Sequence, residues 1–490
     1  MSKFNQASEA QVGEFFSLRF VLESFRSREA LRAQIEKDTI SMSNSDRVTT
    51  PKEMAPHLNT VAEPDAVAST GEQRYSFLRL SSAASAHALS IDTIQKSMAD
   101  LGLWLDSACL STGEEGCCHR TALFHQDGRI TWLYPHSNCS ELIRAWLDLG
   151  ASLQDRRYRN IALSYANRLI DDPLRGLYNG PVREAGGMMW YWRDDGTYTG
   201  GYSMRIPGVF LRLQEELNEK RFAEASIAIG ETFLRRQLSS GAVNMVAWSP
   251  DRGWFAEDTM GSRYAYCVAT FASLYSLTQD RRYKVAYELA VQALLKMQQP
   301  DGSFFQFYDP VSLEPQDQSI KIHFFAYLFN ALEEAYAVFP DERLLACGMA
   351  MKEYLAGLYY YRRQLPYCYN AEHPSDLVEA DSAVYDSASG LLWLYQVTGD
   401  PTALDLGIRL WNDARGCQLD CPEYPGFHGA LIRGQNPLRK STETAAIPVA
   451  HLQFDPTRVA SCEVWFATNY IFSCKKLLHI AQPPLGKSVL

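Results

Sequence analysis

Residues 262–305 read SRYAYCVATFASLYSLTQDRRYKVAYELAVQALLKMQQPDGSFF and contain one complete helical hairpin. From Arg263 to Leu277 almost no charge follows the opening turn, so this helix has no face suited to water and is expected to be buried. From Arg281 to Gln298, Lys284, Glu288, Gln292 and Lys296 recur at every fourth position, with Ala286, Leu289, Ala290, Val291 and Leu294 elsewhere on the circumference. That spacing predicts a helix with one side in solvent. A polar turn around Asp280-Arg281-Arg282-Tyr283 separates the two helices, and Gln299-Pro300-Asp301-Gly302-Ser303 stops the second.

The same unit recurs on both sides. Asp155-Arg156-Arg157-Tyr158, Glu219-Lys220-Arg221-Phe222, Asp280-Arg281-Arg282-Tyr283, Asp341-Glu342-Arg343-Leu344 and Asp400-Pro401-Thr402-Ala403 each follow an apolar segment and precede an amphipathic one, at spacings of 64, 61, 61 and 59 residues. A near-constant period of supersecondary units signals a stacked or closed array. The amphipathic segment Ile91–Cys109 lacks an apolar partner before it, and the apolar segment Cys462–Leu478 lacks an amphipathic one after it. Pairing these two orphans makes a sixth hairpin. The fold expected is therefore all-α, an (α/α)6 toroid of six inner helices wrapped by six outer ones.

The repeats run from about Ile91 to Ile480, one large core, with residues 81–490 as the toroid domain and residues 1–80 as an N-terminal extension. In that extension Glu9–Lys37 reads as an amphipathic helix, and Asp38–Gln73, rich in Ser, Thr, Pro and Asn, as a linker. A net charge of −10 and a pI near 5.6, with no basic run, argue against a nucleic-acid or anionic-membrane partner. No apolar stretch is long enough for a membrane span, and the first twenty residues lack the apolar core of a secretory signal. Eleven cysteines, an odd number scattered through helices, fit buried thiols, and a cytoplasmic location is expected. The chain has no Walker loop, dinucleotide glycine fingerprint, zincin motif or nucleophile elbow, and no cofactor is expected.

In such a ring the short turns lie at one end. The long connections, Leu110–Ser140, Asp171–Ser203, Leu238–Ser262, Gln299–Lys321, Tyr359–Val384 and Gly416–Ser461, lie at the other, where the inner helices begin and present unsatisfied N–H groups. Aromatic and ionisable residues gather there. The first connection carries Tyr134 and His136; the second Trp190, Trp192, Arg193, Asp195 and Tyr198, followed by Arg205; the third Trp248, Trp254 and Asp258, followed by Arg263. Flat rings beside carboxylates and guanidinium groups grip sugars, with rings stacking on C–H faces and polar groups taking hydroxyls. A small-molecule or oligosaccharide partner is expected. Asp381 and Asp386 bracket the start of the fifth inner helix, where the helix N-terminus favours an anion. Paired carboxylates suit glycoside hydrolysis, one as acid and one as base or nucleophile, and Asp195 or Asp258 with Asp386 could supply them. His323 opens the fourth inner helix, where a base poised near neutral pH suits proton abstraction beside a carbonyl. Lys321, Arg205 and Arg263 could bind the carboxylate of an acidic sugar.

The repeated hairpins, their period and the Gln-Pro-Asp-Gly-Ser loop resemble the six-hairpin glycosidase-like toroids, over about four fifths of the chain. That group includes unsaturated glucuronyl hydrolases, N-acylglucosamine 2-epimerases and polysaccharide lyases. The resemblance implies a carbohydrate-active enzyme, with a glycoside hydrolase acting on a small or uronic-acid-containing oligosaccharide as the first reading and an epimerase or lyase using His323 as the second. The unsaturated-uronide hydrolases open an inner helix with an acidic pair shortly before Met and Pro. Met204 and Pro207 are present here, but Gly200-Gly201-Tyr202-Ser203 precedes them and the acidic pair Asp194-Asp195 lies further upstream. The 2-epimerases use two histidines, for which His136, His428 and His451 are the candidate partners of His323. Three other readings are a noncatalytic carbohydrate-binding or scaffolding toroid, a terpene-cyclase-like toroid, and a lanthionine-cyclase-like toroid with zinc on Cys117, Cys118 and His119 together with Cys462 or His428; the terpene cyclases' cluster of three aspartates is missing.

Overall fold

The computed structural model describes residues 90–119, 121–125, 130–133, 140–171, 198–199, 204–244, 246–249, 253–256, 260–362, 365–366, 368–371, 377–378, 386–422, 426–431 and 458–481. All lie in the unit spanning residues 66–490. The N-terminal helix and linker expected before residue 80 lie outside the described residues.

Twelve α-helices occur among the described residues, joined by short strands. In chain order these are α1 (Ile91–Leu110), β1 (Thr121–His125), β2 (Ile130–Leu133), α2 (Glu141–Leu153), α3 (Arg156–Asp171), β3 (Tyr198–Thr199), α4 (Ile206–Leu217) and α5 (Lys220–Arg236). There follow β4 (Val246–Ser249), β5 (Gly253–Ala256), β6 (Met260–Gly261), α6 (Cys267–Thr278), α7 (Arg281–Met297), β7 (Phe307–Tyr308), β8 (Ser319–Lys321), α8 (His323–Val338) and α9 (Glu342–Arg362). The last elements are β9 (Cys368–Asn370), β10 (Leu377–Val378), α10 (Ala388–Thr398), α11 (Pro401–Gly416), β11 (Arg458–Glu463) and α12 (Val464–Ala481).

Helices α2, α4, α6, α8, α10 and α12 form the inner ring, each packed against the next, and α12 returns to α2 to close the circle. The orphan helices α1 and α12 pack together as the sixth hairpin. The molecule is an (α/α)6 toroid. Inner helices owe their place to composition: in α8 every residue from His323 to Leu332 is buried, whereas α7 buries Tyr283, Ala286, Tyr287, Ala290, Val291 and Leu294 on one stripe. Helix α6 starts later than its pattern suggests, because Ser262–Tyr266 forms a 3-10 turn before it.

The repeated turn has a physical basis. Four inner helices end on a left-handed residue, Gln154, Asn218, Gln279 or Gly399, whose N–H reaches the carbonyl four residues back. Asp155, Asp280, Asp341 and Asp400 then accept the backbone N–H two residues on, each at 2.9 Å, and so cap the outer helix that follows. The arginine in that position also reaches the preceding outer helix. Arg157 faces Asp106 at 3.6 Å, Arg282 meets Glu231 at 2.6 Å and Arg343 meets Glu288 at 2.8 Å. The Asp-x-Arg pattern thus encodes both a cap and a rung between repeats.

Helix spacing is set where side chains are smallest. Gly390 of α10 lies against the Phe329 ring of α8, and a Cβ at that position would overlap the ring. Gly390→Ala is expected to cost about 1–3 kcal/mol through overpacking of the inner ring. Thermal denaturation checks this.

The long connections are not all coil, as an all-helical reading would have them. They carry two- to six-residue strands that join one connection to the next: β1 pairs with β11, β3 with β4, β6 with β7 and β8 with β9, all antiparallel. The β1–β11 pair links the first connection to the last, so strands and helices close the ring at the same seam.

Candidate functional site

Each inner helix brings a residue from its first turn, or from just ahead of it, to a common cluster. Glu141 is the first residue of α2, Arg205 immediately precedes α4, and Tyr266 immediately precedes α6. His323 opens α8 with Tyr327 one turn below, Asp386 lies just ahead of α10, and Phe466 is in the first turn of α12. All seven are buried.

At the centre, His323 Nδ1 lies 3.2 Å from Asp386 Oδ2, as an electrostatic contact off the axis of a hydrogen bond. Its other nitrogen, Nε2, is 2.8 Å from the Tyr327 hydroxyl. The Tyr327 and Phe466 rings meet the imidazole edge to face, with centroids 4.7 and 5.5 Å away. The Arg205 guanidinium lies over the Tyr327 ring, 3.7 Å from its centroid, and donates to Glu141 Oε1. Asp386, His323, Tyr327, Arg205 and Glu141 therefore form one chain of contacts across α10, α8, α4 and α2. A carboxylate beside Nδ1 favours the proton on that nitrogen and leaves Nε2 to accept from the phenol.

Below this layer the inner helices carry further charges. Arg144 donates to Glu334 Oε1 at 2.8 Å, and the Tyr266 hydroxyl donates to the same oxygen at 2.5 Å. Burial pushes the Glu334 carboxyl up, against the pull of Arg144 and Tyr266. Lys476 bridges Glu333 and Ser389, each at 2.7 Å. Deeper still, buried Asp148 accepts from Arg212 at 2.8 Å and Lys475 at 2.6 Å. Burial alone would raise its pKa, but Arg212, Lys475 and Arg144 more than offset that and hold it below the ordinary value. A depressed folded pKa contributes stability in full above the unfolded value of about 3.9, and loses it as pH falls through the folded one. Asp148→Asn is accordingly expected to destabilise the protein at pH 7 and to flatten its acid-unfolding curve. Denaturation midpoints between pH 7 and pH 3 check this.

Of the residues expected at the site, the structure brings His323, Asp386 and Arg205 together. Lys321 ends β8 two residues before His323, with Nζ 5.1 Å from the Phe324 ring centroid. Tyr198, Trp248 and Trp254 occupy a single register row across β3, β4 and β5, and Arg263 lies in the 3-10 turn ahead of α6. Tyr134, His136, Trp190, Trp192, Arg193, Asp195, Asp258 and Asp381 lie outside the described residues. His428, a candidate partner for His323, is instead 3.3 Å from Asp100 of α1 and accepts from the Cys421 N–H. Among the described residues, which include Cys117, Cys118 and His119, no group of three His, Cys, Asp or Glu side chains is placed to hold a metal ion.

Glu141, Tyr266 and Tyr327 escaped the sequence reading. The available signal was Glu141, Arg144 and Asp148 at helical spacing in a segment otherwise too apolar for the surface. Charges on a helix with no solvent face must meet one another in the lumen.

No protein-family model matches the chain, and no curated protein sequence does. Solved structures do match. The unsaturated glucuronyl hydrolase of Bacillus sp. GL1 aligns with TM-score 0.56 at 12% identity, covering 79% of this chain and 97% of its own. This chain's fold is that of the six-hairpin toroids. An α-amylase from Clostridium perfringens (TM-score 0.53, 11% identity, 78% and 97% covered) and a D-mannose isomerase (0.54, 14%, 80% and 98%) share it. Toroids of this kind thus host more than one carbohydrate chemistry.

Proposed function

We propose that this toroid is a carbohydrate-active enzyme that transfers a proton at a carbon beside a sugar carbonyl, as an isomerase or epimerase does. The observation that carries the reading is His323 held between Asp386 and Tyr327 at the starts of the inner helices. His323 is the base, working directly or through the Tyr327 hydroxyl; Asp386 and Arg205 are positioning residues. The base takes the proton, the C–H electron pair moves onto the carbonyl carbon while its π electrons move to oxygen, and an enediolate forms. Return of a proton to the neighbouring carbon, with the hydroxyl proton of the first carbon passing to the old carbonyl oxygen, gives the isomer. Return to the other face of the same carbon, with the carbonyl restored, gives the epimer. In neither case is an external oxidant, reductant or co-reactant needed. Asp386 stabilises the imidazolium formed midway, and Arg205 over the Tyr327 ring stabilises charge on the phenol oxygen. A polysaccharide lyase would use the same first step.

A glycoside hydrolase acting on a small or uronic-acid-containing oligosaccharide is the second reading. Two carboxyl groups within the cluster, Asp386 and Glu141, favour it. The test is product analysis on a panel of aldoses, ketoses, hexosamines, uronides and short oligosaccharides. Interconversion at unchanged mass supports proton transfer, cleavage with uptake of water supports the hydrolase, and saturable binding with no product from any of them leaves a carbohydrate-binding module.

A further inference from the structure

The last long connection begins by folding back against α1. Residues 417–422 and 426–431 form a turn in which Gln418 is bridged to Leu431 and the Leu419 N–H donates to the Ala430 carbonyl at 2.9 Å. Gln418 Nε2 donates to the carbonyls of Ser97 in α1, at 2.9 Å, and of Gly429, at 3.2 Å. Ser97 in turn meets the Tyr470 hydroxyl of α12 at 2.6 Å. Gly429 has φ +84°, and a Cβ there would overlap the Asp100 carbonyl, so the turn lies directly on the helix backbone. Phe427 packs on Phe124 of β1, with centroids 4.7 Å apart. The same turn therefore covers the strand that closes the ring with β11.

His428 sits at this junction. Its Nε2 lies 3.3 Å from Asp100 Oδ1, and its Nδ1 accepts from the Cys421 N–H at 3.2 Å. Those contacts suit a neutral ring with its proton on Nε2. A charged ring carries a second proton on Nδ1, which would face the Cys421 N–H donor to donor. An acceptor for that proton stands 3.8 Å away, Oδ1 of the exposed Asp420 side chain. Lys96 of α1 holds the other Asp100 oxygen at 2.6 Å, and burial keeps Tyr470 of α12 a neutral phenol. We infer that His428 is a pH-sensitive clasp: neutral, it fastens the last connection to α1 beside the ring seam, and charged, it exchanges the Cys421 N–H for Asp420. Imidazole is the side chain whose ordinary titration falls between pH 5 and 8. Above that range both bonds of the clasp hold; below it the Cys421 bond is lost while the Asp100 contact is kept. The clasp acts at the seam, independently of the reaction assigned to the His323 cluster.

Hydrogen–deuterium exchange of the full chain tests this, with fragmentation to resolve the Cys421 amide, EDTA present, and a pH series from 8 to 5.5 corrected for the intrinsic pH dependence of exchange. Protection of the Cys421 amide is expected to fall about fivefold or more across the series, as befits the loss of one hydrogen bond. In His428→Asn the amide oxygen stands where Nδ1 was and does not titrate, so protection should be equal at both ends. Asp420→Asn, a change on an exposed side chain, should move the fall to lower pH because the charged ring has lost its acceptor. Equal protection across the series in the wild-type protein, a fall of the same size in His428→Asn, or an unmoved midpoint in Asp420→Asn would each overturn the assignment.

Discussion

His323→Asn is expected to lower kcat by about a thousandfold, within the range for removal of a general base, with little change in KM. The asparagine amide keeps a donor for Asp386, so the fold is retained while the proton acceptor is lost. Asp386→Asn should act less severely and in a characteristic way. It leaves the imidazole present but unsupported, and the acidic limb of the pH–rate profile shifts because the imidazolium has lost its counter-charge. Tyr327→Phe separates direct from relayed transfer: a loss as deep as that of His323→Asn places the phenol in the proton path. Steady-state kinetics on whichever sugar the panel identifies, with melting temperatures alongside, check all three.

The second large effect is on stability. Arg205→Met strands the Glu141 carboxylate in a site where it is 6% exposed, and strips the cation from the face of Tyr327. Breaking a buried pair by removing one partner costs about 3–5 kcal/mol, because the remaining charge stays buried without the cation that compensated it. Replacing both members with apolar residues of similar volume is often neutral, so Arg205→Met with Glu141→Leu should recover most of the loss. Urea denaturation of the two single variants and the double variant measures this. A single variant within about 1 kcal/mol of the parent would mean that the pair does not hold the inner ring together.

Much of the fold was legible because its signals are local. Five hairpins announce themselves by an apolar segment, a short polar turn opened by Asp or Glu and an amphipathic segment, and the two orphan segments required a ring. The rim strands were not legible. Pieces of two to six residues have no periodicity to detect, and β1 finds its partner β11 at the far end of the chain. His323 and Asp386 could each be picked out as ionisable groups at the start of an apolar helix. Their pairing could not, because it depends on α8 and α10 being neighbours in a closed circle. Arg205 is the instructive case. The sequence reading gave it a substrate carboxylate, whereas the structure gives it Glu141, a residue that by itself reads only as an ordinary acid at a helix start.

The lumen network carries a related lesson. Arg144, Glu333, Glu334 and Lys476 lie on three helices and look like scattered surface charges in the sequence, yet ion pairs join them inside the ring. A charge on an apolar helix is a long-range constraint whose partner only the closed fold reveals.

The central claim is that the cluster around His323 moves a proton to and from carbon. Proton NMR of the reacting sugar in D2O tests it most directly. Deuterium should enter at the carbon beside the carbonyl with the wild-type protein, and only at the background rate with His323→Asn. Turnover by the wild-type protein that neither takes up such deuterium nor moves or loses the label of a substrate deuterated at that carbon, or equal uptake by the variant, would contradict it.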